Sequence, residues 1–306
     1  LRIGYSEKTL LAALGEAAAY NTEEHSKPPP EIFKSPLEEA SNIIKQVHCL
    51  LPDYDKIVSA LLTEGLWMLP KTCKFTPGVP IDPMMSKATK GVSEVLNKFQ
   101  NVEFTIHYME NDSVEVYSRH QERNTDKYPD VVAAVSRLKK ATVSSFVLDC
   151  EIVAYDREKL QIESFQKLST RARKKVDIKD VKVDVCIFAF DLLYLNGQEL
   201  LQENLRVRRE HLYASFEEEA FATSITSNDV EEIQKFLDKA VNASCEGLIV
   251  KTLNEDATYE PAKRSLNWLK LKKDYLEKRL TRFGTYCCFA FHGRGKRTGD
   301  DMKYTL

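Results

Sequence analysis

The chain has 306 residues, of which 43% are hydrophobic and 29% are charged. This composition can form a packed core and excludes a wholly disordered chain, and the length suits two domains. The formal net charge of −2 gives no global indication of a polyanionic partner.

Seven scattered cysteines without a Cys-x-x-Cys pair indicate reduced thiols in an intracellular protein. The sequence predicts no membrane span, since no apolar run reaches the roughly 18 residues required. The chain begins at Leu1 rather than Met, so we expect it to be a piece of a longer protein.

Residues 1–80 are predicted to be helical. Ser6 is a suitable N-cap for a Leu- and Ala-rich helix, and three prolines at 28–30 indicate a linker. Ser35 opens a capping box with proline at the first helical position. A third helix is expected at 53–64, directly before a glycine that can end it. This part is therefore interpreted as all-α.

From residue 81 onwards, β-branched and alternating segments dominate. The predicted strands are 102–105, 114–118, 146–155, 183–193 and 246–251, and the predicted helices are 93–99, 130–138, 205–213 and 229–241. Strands that first pair locally and then alternate with helices are typical of an α+β domain with antiparallel sheets. We place its end at 276, because residues 277–306 are too few for a separate domain.

Alternating leucine and lysine near the end of this domain provide the most informative pattern. Side chains on a strand alternate between faces, so Lys270 and Lys272 share one face. The preceding strand begins at Glu246 and ends at Lys251. Paired lysines near a carboxylate suit the triphosphate and metal of a nucleotide, while an edge strand with solvated lysines is the alternative. Eight basic and two acidic residues at 263–282 favour a phosphate-bearing partner.

The predicted strand at 146–155 carries Asp149 and Glu151 on one face. A carboxylate in the middle of a half-buried sheet is costly unless a cation or hydrogen bonds satisfy it. Glu151 and Glu246 are two carboxylates of the kind that hold Mg²⁺ together with phosphate oxygens. Structural ion pairs with lysines are the alternative.

Two further residues are candidates for nucleotide contact. Phe190 lies on a strand that closes in an Asn-Gly turn, and its ring is either core or a stacking face for a purine. Arg119 follows a strand end, where a guanidinium can contact phosphate or ribose oxygens.

The basic segment 171–175 is interpreted as a solvated turn, with DNA contact or a localisation signal as weaker alternatives. The Gly-rich segment 293–299 fails the P-loop pattern and is interpreted as a flexible basic loop.

Taken in this order, these segments resemble the eukaryotic ATP-dependent DNA ligases, closest to the replicative DNA ligase I type. The resemblance extends to about Tyr275 and returns at 293–299. It rests on the motifs Leu-Asp-Cys-Glu-Ile-Val-Ala, Ala-Phe-Asp-Leu, Glu-Gly-x-x-Val-Lys and Trp-Leu-Lys-Leu-Lys-Lys-Asp-Tyr. It implies the C-terminal part of a helical DNA-binding domain at 1–80, a nucleotidyltransferase (adenylation) domain at 81–276, and an incomplete OB-fold start at 277–306.

The resemblance also implies roles for individual residues, with ATP and Mg²⁺ as cofactors and nicked double-stranded DNA as the partner. The catalytic set would be Glu151, Glu246, Lys270 and Lys272, in which the glutamates hold Mg²⁺ or the ribose and the lysines neutralise phosphates. Phe190 would stack on adenine and Arg119 would contact the nucleotide. The DNA contacts would come from Arg2, Gly4, Arg294, Lys296 and Arg297. A monomer in the nucleus is expected.

The chain departs from the family pattern at the nucleophile. The family's lysine belongs to a Lys-x-Asp-Gly segment, which we expect soon after Thr105. Here Thr105 runs directly into Ile106, and the chain contains no Asp-Gly dipeptide. The nearest substitute, Lys175-Val176-Asp177, lacks the glycine. Deprotonated lysine is the group that attacks the metal-bound phosphate. We therefore expect a DNA ligase chain, acting in replication, repair and recombination, that cannot form the enzyme–AMP intermediate.

A non-catalytic module that binds nicks is the alternative, and it predicts salt-sensitive DNA binding without sealing. An RNA-capping or RNA-ligase relative is a third possibility that would share the nucleotidyltransferase strands. It has no reason to carry the helical region that begins at Arg2.

Overall fold

The computed structural model describes residues 6–20, 35–88, 103–159, 161–172, 176–242, 245, 247–271 and 286–291. The chain divides into two compact units, residues 1–82 and 83–306. Each unit has a hydrophobic core of its own. The predicted assignment of 1–80 to a helical DNA-binding domain stays a prediction.

The first unit contains the predicted helices. They are α1 (Glu7–Tyr20), α2 (Pro36–Leu50), α3 (Tyr54–Glu64) and the short α4 (Leu69–Thr72), which follows a 3₁₀ turn at Leu66–Met68. Ser35 Oγ accepts from Glu38 N at 3.2 Å, and Asp53 Oδ1 accepts from Lys56 N at 3.1 Å. Gly65 ends α3 with φ of 85°. The capping predictions are confirmed, and the linker predicted at 28–30 lies outside the described residues.

Helices α1 and α2 approach each other closely at Gly15. A Cβ atom at this position would lie 2.5 Å from the carbonyl oxygen of Ala40 and 2.8 Å from Ser41 Cα. Ser41 Oγ donates to the carbonyl oxygen of Ala12 at 3.2 Å, which links the same two helices. A side chain at Gly15 would therefore meet backbone atoms that cannot easily move.

The second unit alternates strands and helices. Its strands are β1 (Met85–Ala88), β2 (Glu103–Tyr108), β3 (Val114–Ser118), β4 (Phe146–Asp156), β5 (Gln161–Ile162), β6 (Val185–Leu195), β7 (Gln198–Glu199), β8 (Ser224–Ser227), β9 (Gly247–Thr252), β10 (Arg264–Leu271) and β11 (Tyr286–Phe291). Its helices are α5 (Pro129–Leu138), α6 (Phe165–Ser169), α7 (Leu205–Ser215) and α8 (Val230–Asn242). The helix predicted at 93–99 lies outside the described residues.

The described strands form two sheets. Sheet A has the order β1-β10-β9-β11-β8, and sheet B has the order β3-β2-β4-β6-β7 with β5 paired to β4. The predicted α+β class with antiparallel sheets is confirmed, although β1 and β10 are parallel. Helices α5 and α7 cover one face of sheet B, and α8 covers one face of sheet A.

Strand β2 is longer than predicted and crosses the Thr105–Ile106 peptide bond without interruption. It pairs with β3 from Phe104 to Tyr108 and with β4 from Glu103 to Tyr108. Phe104, Ile106 and Tyr108 belong to the core of sheet B. On the opposite face, His107 is fully buried and its Nε2 lies 3.0 Å from Thr105 Oγ1. Burial lowers the pKa of His107 to about 3.

Strand β11 lies in the range where we expected a barrel to begin. It pairs with both β9 and β8 and is therefore an internal strand of sheet A among the described residues. The boundary at 276/277 stays a prediction.

Candidate functional site

A cleft of about 2060 Å³ lies in the second unit and is lined by residues of both sheets. Its lining includes Glu103, Glu151, Phe188 and Phe190 from sheet B, and Ile249, Lys251 and Trp268 from sheet A. Pockets for small molecules commonly measure about 300–1,000 Å³, so this cleft is large enough for a nucleotide.

Three charged residues lie side by side across sheet B. Glu103 is directly opposite Glu151, and Arg119 N donates to the carbonyl oxygen of Glu103 at 3.0 Å. Arg119 Nε lies 3.9 Å from the Glu103 carboxylate. Directly opposed residues of antiparallel strands project from the same face. We call Arg119, Glu103 and Glu151 the charge row.

Phe190 projects from a β-bulge. Asp149 pairs with Asp191 whereas Cys150 pairs with Ala189, so Phe190 is the extra residue on β6. Bulges redirect side chains and often occur beside binding sites. Phe190 is half-buried and lines the cleft. The bulge therefore brings the ring that we expected to stack on adenine to the same cleft as Glu151.

Lys251 places a buried ammonium between two aromatic rings. It is 2% exposed, and its Nζ lies 3.5 Å from the ring centroid of Trp268 and 4.2 Å from that of Phe190. Cation–π attraction is strongest where the cation is desolvated. This lysine therefore lies at the aromatic end of the cleft.

Asp149 is buried behind the cleft and is satisfied by a hydrogen bond. Tyr259 Oη donates to Asp149 Oδ2 at 2.9 Å and accepts from Met84 N at 3.0 Å. Burial raises the pKa of Asp149 to about 8, although the Lys251 ammonium acts in the opposite direction. A hydrogen bond thus accounts for one of the two carboxylates that the sequence placed on this face.

A buried ion pair connects β6 to α7. Arg208 Nε donates to Asp191 Oδ1 at 2.7 Å, and Nη2 donates to Oδ2 at 2.9 Å. Both side chains are 0% exposed. Arg208 Nη1 also donates to the carbonyl oxygens of Glu203 and Ala257, at 2.6 and 2.9 Å. One guanidinium therefore fixes the strand, the helix start and the loop that leads to β10.

Lys270 lies on the side of sheet A that lines the cleft. Trp268 pairs with Lys251 and Lys270 pairs with Ile249, whereas Leu269 and Leu271 belong to the cluster under α8. The predicted alternation is confirmed as far as Leu271. Lys270 itself is half-buried.

Several predicted site residues lie outside the described part of the chain: Glu246, Lys272, Arg2, Gly4, Arg294, Lys296 and Arg297. Among the predicted residues that the structure describes, Glu151 and Phe190 line one cleft. Arg119 lies next to Glu103, which lines the same cleft. Lys270 is paired with Ile249, which also lines it.

The carboxylates on the sheet B face can be tested as metal ligands. Within the described ranges, no group of three or more His, Cys, Asp or Glu side chains is placed to hold a metal ion. Mg²⁺ is usually held by one or two carboxylates together with phosphate oxygens and water. The Glu151 carboxylate in the cleft therefore fits an ion that arrives with a nucleotide.

The interpretation of 171–175 as a solvated turn is wrong for its first residue. Arg171 is 6% exposed, and it donates to both carboxylate oxygens of Asp130 at 2.6 and 3.0 Å. Its guanidinium also lies over the Tyr128 ring, 4.8 Å from the centroid. A partner 41 residues away in sequence leaves no local signal. Residues 173–175 lie outside the described part.

Sequence reasoning assigned no role to Lys251, Arg208 or Glu103. Of these three, only Lys251 could have been identified from the sequence, because it ends the Glu-Gly-x-x-Val-Lys motif.

In the portion of the chain that the structure covers, none of the helices has the length and apolarity to cross a membrane.

Comparison with known proteins identifies relatives of this chain. Residues 83–272 match the family model described as ATP dependent DNA ligase domain. DNA ligase 1 of Arabidopsis thaliana is 63% identical over 98% of this chain and 40% of its own length. DNA ligase 1 of Saccharomyces cerevisiae is 41% identical over 98% of this chain and 42% of its own length. The chain thus spans about two fifths of these relatives.

Among solved structures, the ligase domain of LigD from M. tuberculosis is 25% identical, with a TM-score of 0.44. The match covers 62% of this chain and 60% of that chain.

Proposed function

Because this chain belongs to the ATP-dependent DNA ligase family, we propose that its cleft binds ATP with Mg²⁺ and that it acts on nicked double-stranded DNA. We further propose that it forms no lysine–AMP intermediate and seals nicks that already carry AMP on the 5′-phosphate. The observation that carries this proposal is the convergence of Glu151, Phe190 and the Lys270 strand on one cleft, beside a β2 strand that runs unbroken through Thr105.

The cleft offers aromatic and charged side chains that suit different parts of a nucleotide. Phe190 would stack on the purine, because a half-buried ring offers dispersion contact to any base. Lys270 and Lys272 would neutralise phosphates, and Arg119 would contact the nucleotide. Glu151 and Glu246 would hold Mg²⁺, which when bound would offset phosphate charge.

The proposal that the nucleophile is missing is supported by the position of Lys251 and by the sequence. Lys251 Nζ is 3.5 Å from the Trp268 centroid and its side chain is buried, so it is poorly placed to attack a phosphorus atom. No Asp-Gly dipeptide occurs anywhere in the sequence. With a pre-adenylylated nick the nucleophile is not needed. The 3′-hydroxyl attacks the 5′-phosphorus and releases its proton to water, a phosphodiester bond forms, and the phosphoanhydride bond to AMP breaks so that AMP leaves.

The remaining parts of the proposal concern the wider surface of the protein. Arg2, Gly4, Arg294, Lys296 and Arg297 would contact the DNA backbone, which carries no sequence information. The protein would act as a monomer in the nucleus, in replication, repair and recombination. These roles are characteristic of enzymes that close breaks in chromosomal DNA.

The test has two stages. Incubation with α-labelled ATP and Mg²⁺ should give no stoichiometric, acid-labile protein adduct. A nicked duplex with AMP already on its 5′-phosphate should then be sealed at a measurable rate. Glu151→Gln should slow this sealing by about tenfold or more, because it removes a carboxylate from the cleft. Glu115→Gln is the matched control, since Glu115 lies on β3 in an ion pair with Arg123.

The outcomes separate the alternatives. A stoichiometric AMP adduct would refute the missing-nucleophile hypothesis. Salt-sensitive binding of the nicked duplex without sealing would favour the non-catalytic binding module. Absence of both nick binding and ATP binding would remove the proposed function.

A further inference from the structure

We propose that Glu103 is an internal competitor for the nucleotide: its carboxylate occupies Arg119 and opposes bound phosphate, so that it weakens ATP binding in the cleft. This inference rests on the proposed function and adds to it a residue that sets affinity. Glu103 belongs to no motif in the sequence, and only the pairing of β2 reveals its position.

The first step is the position of Glu103 in the charge row. Its two neighbours across the sheet are Arg119 on one side and Glu151 on the other. Both neighbours are residues that we expect to contact the nucleotide or its metal. Directly opposed residues have Cβ atoms about 4.5–5.5 Å apart. A charge at Glu103 therefore acts on both at close range.

The second step is the contact with Arg119. The backbone N of Arg119 is held at 3.0 Å by the Glu103 carbonyl, and its Nε lies 3.9 Å from the Glu103 carboxylate. Glu103 thus holds the backbone of Arg119 with its carbonyl oxygen and faces the guanidinium with its carboxylate. A phosphate or ribose oxygen that approaches Arg119 must compete with this carboxylate. With the Glu103 side chain 25% exposed, the ion pair is weak enough to be broken.

The third step is the accumulation of negative charge. Glu103 and Glu151 are like charges at directly opposed positions, an arrangement that is destabilising by itself. Burial is the main reason why the pKa of Asp149 is raised, and the negative charge of Glu103 acts in the same direction. Nucleotide phosphates would add further negative charge at this face. A divalent cation relieves this repulsion, so the effect of Glu103 should be largest without Mg²⁺.

The experiment compares ATP affinity in the wild-type chain, Glu103→Gln, Arg119→Gln and the double variant, by titration with and without Mg²⁺. We expect Glu103→Gln to bind ATP about three- to tenfold more tightly without Mg²⁺, and with a smaller gain when Mg²⁺ is present. The gain should shrink in the Arg119→Gln background, because the two residues act through one contact. Glu115→Gln removes the same charge from a neighbouring strand outside the cleft and should leave ATP affinity unchanged.

Thermal unfolding of each variant shows whether the fold is retained, and Glu103→Asp provides a second variant that keeps the charge. Equal or weaker ATP binding by Glu103→Gln, with wild-type binding intact, would overturn the inference and leave the proposed function standing. An equal gain in the Arg119→Gln background would overturn the competition for Arg119. If neither the wild type nor Glu103→Gln binds ATP, the proposed function fails as well.

Discussion

Replacing Arg208 by methionine tests the buried ion pair that organises the second unit. The substitution removes two hydrogen bonds to Asp191 and two to backbone carbonyls, at distances between 2.6 and 2.9 Å. Because both side chains are 0% exposed, the Asp191 carboxylate would remain buried without its counter-ion. Loss of one partner from such a pair costs about 3–5 kcal/mol. A domain of this size is commonly stable by only about 5–15 kcal/mol.

The assay is urea unfolding followed by tryptophan fluorescence. The chain has two tryptophans, Trp67 in the first unit and Trp268 in the second. A Trp67→Phe background therefore leaves Trp268 as the reporter of the unit that contains Arg208. Arg206→Met is the matched control, because Arg206 lies on the same helix, is exposed, and donates from Nε to Asn254 Oδ1 at 2.7 Å. Loss of this exposed hydrogen bond should change the free energy of unfolding by no more than about 1 kcal/mol.

The double variant Arg208→Met with Asp191→Leu completes a thermodynamic cycle. An apolar pair removes the stranded charge, so the double variant should be less destabilised than the sum of the single variants. The reasoning would be refuted if Arg208→Met behaved like Arg206→Met, or if the two substitutions were strictly additive.

Three further substitutions have expected outcomes. Gly15→Ala should destabilise the first unit by about 1–3 kcal/mol, because its Cβ would lie 2.5 Å from Ala40 O. Exposed Ala17→Gly, as the control, should cost about 1 kcal/mol, and a gain from Gly15→Ala in Trp67-detected unfolding would contradict the close approach. Asp149→Asn should flatten a loss of stability as pH rises from about 4 to 8, because the pKa is raised from 3.8 to about 8 on folding. Parallel profiles for both proteins above pH 6.5 would exclude this. The wild type should lose stability as pH falls from about 6.5 to 3, because folding lowers the pKa of His107 from 6.5 to about 3. His107→Gln should flatten this loss. An unchanged acid limb in the variant would count against the buried neutral imidazole.

The predictable part of the fold consists of features that are encoded locally. The ends of α2 and α3 follow from Ser35, Asp53 and Gly65, each of which contacts backbone within four residues. The strand faces that carry Glu151 and Lys270 follow from a two-residue period. Such signals survive in the sequence because the interacting groups are neighbours in the chain.

The remaining features depend on partners that are far away in sequence. Phe190 reaches the cleft through a register shift against β4, which no property of its own segment indicates. Tyr259 Oη and Asp149 are 110 residues apart. Glu103 was recognised as part of the site only from its cross-strand neighbours Glu151 and Arg119. The sequence patterns therefore did not determine strand register or long-range side-chain contacts at this site.

The continuity of β2 limits how this part of the chain can change in length. Phe104 and Ile106 face the core from either side of the Thr105–Ile106 bond, so the alternation keeps its phase across the junction. One extra residue inserted in line would turn His107 and Tyr108 to the wrong faces and force the ladder to slip or bulge. Two would restore the phase. At this junction, an insertion of an even number of residues preserves the alternation of side chains in β2, whereas an odd number reverses it.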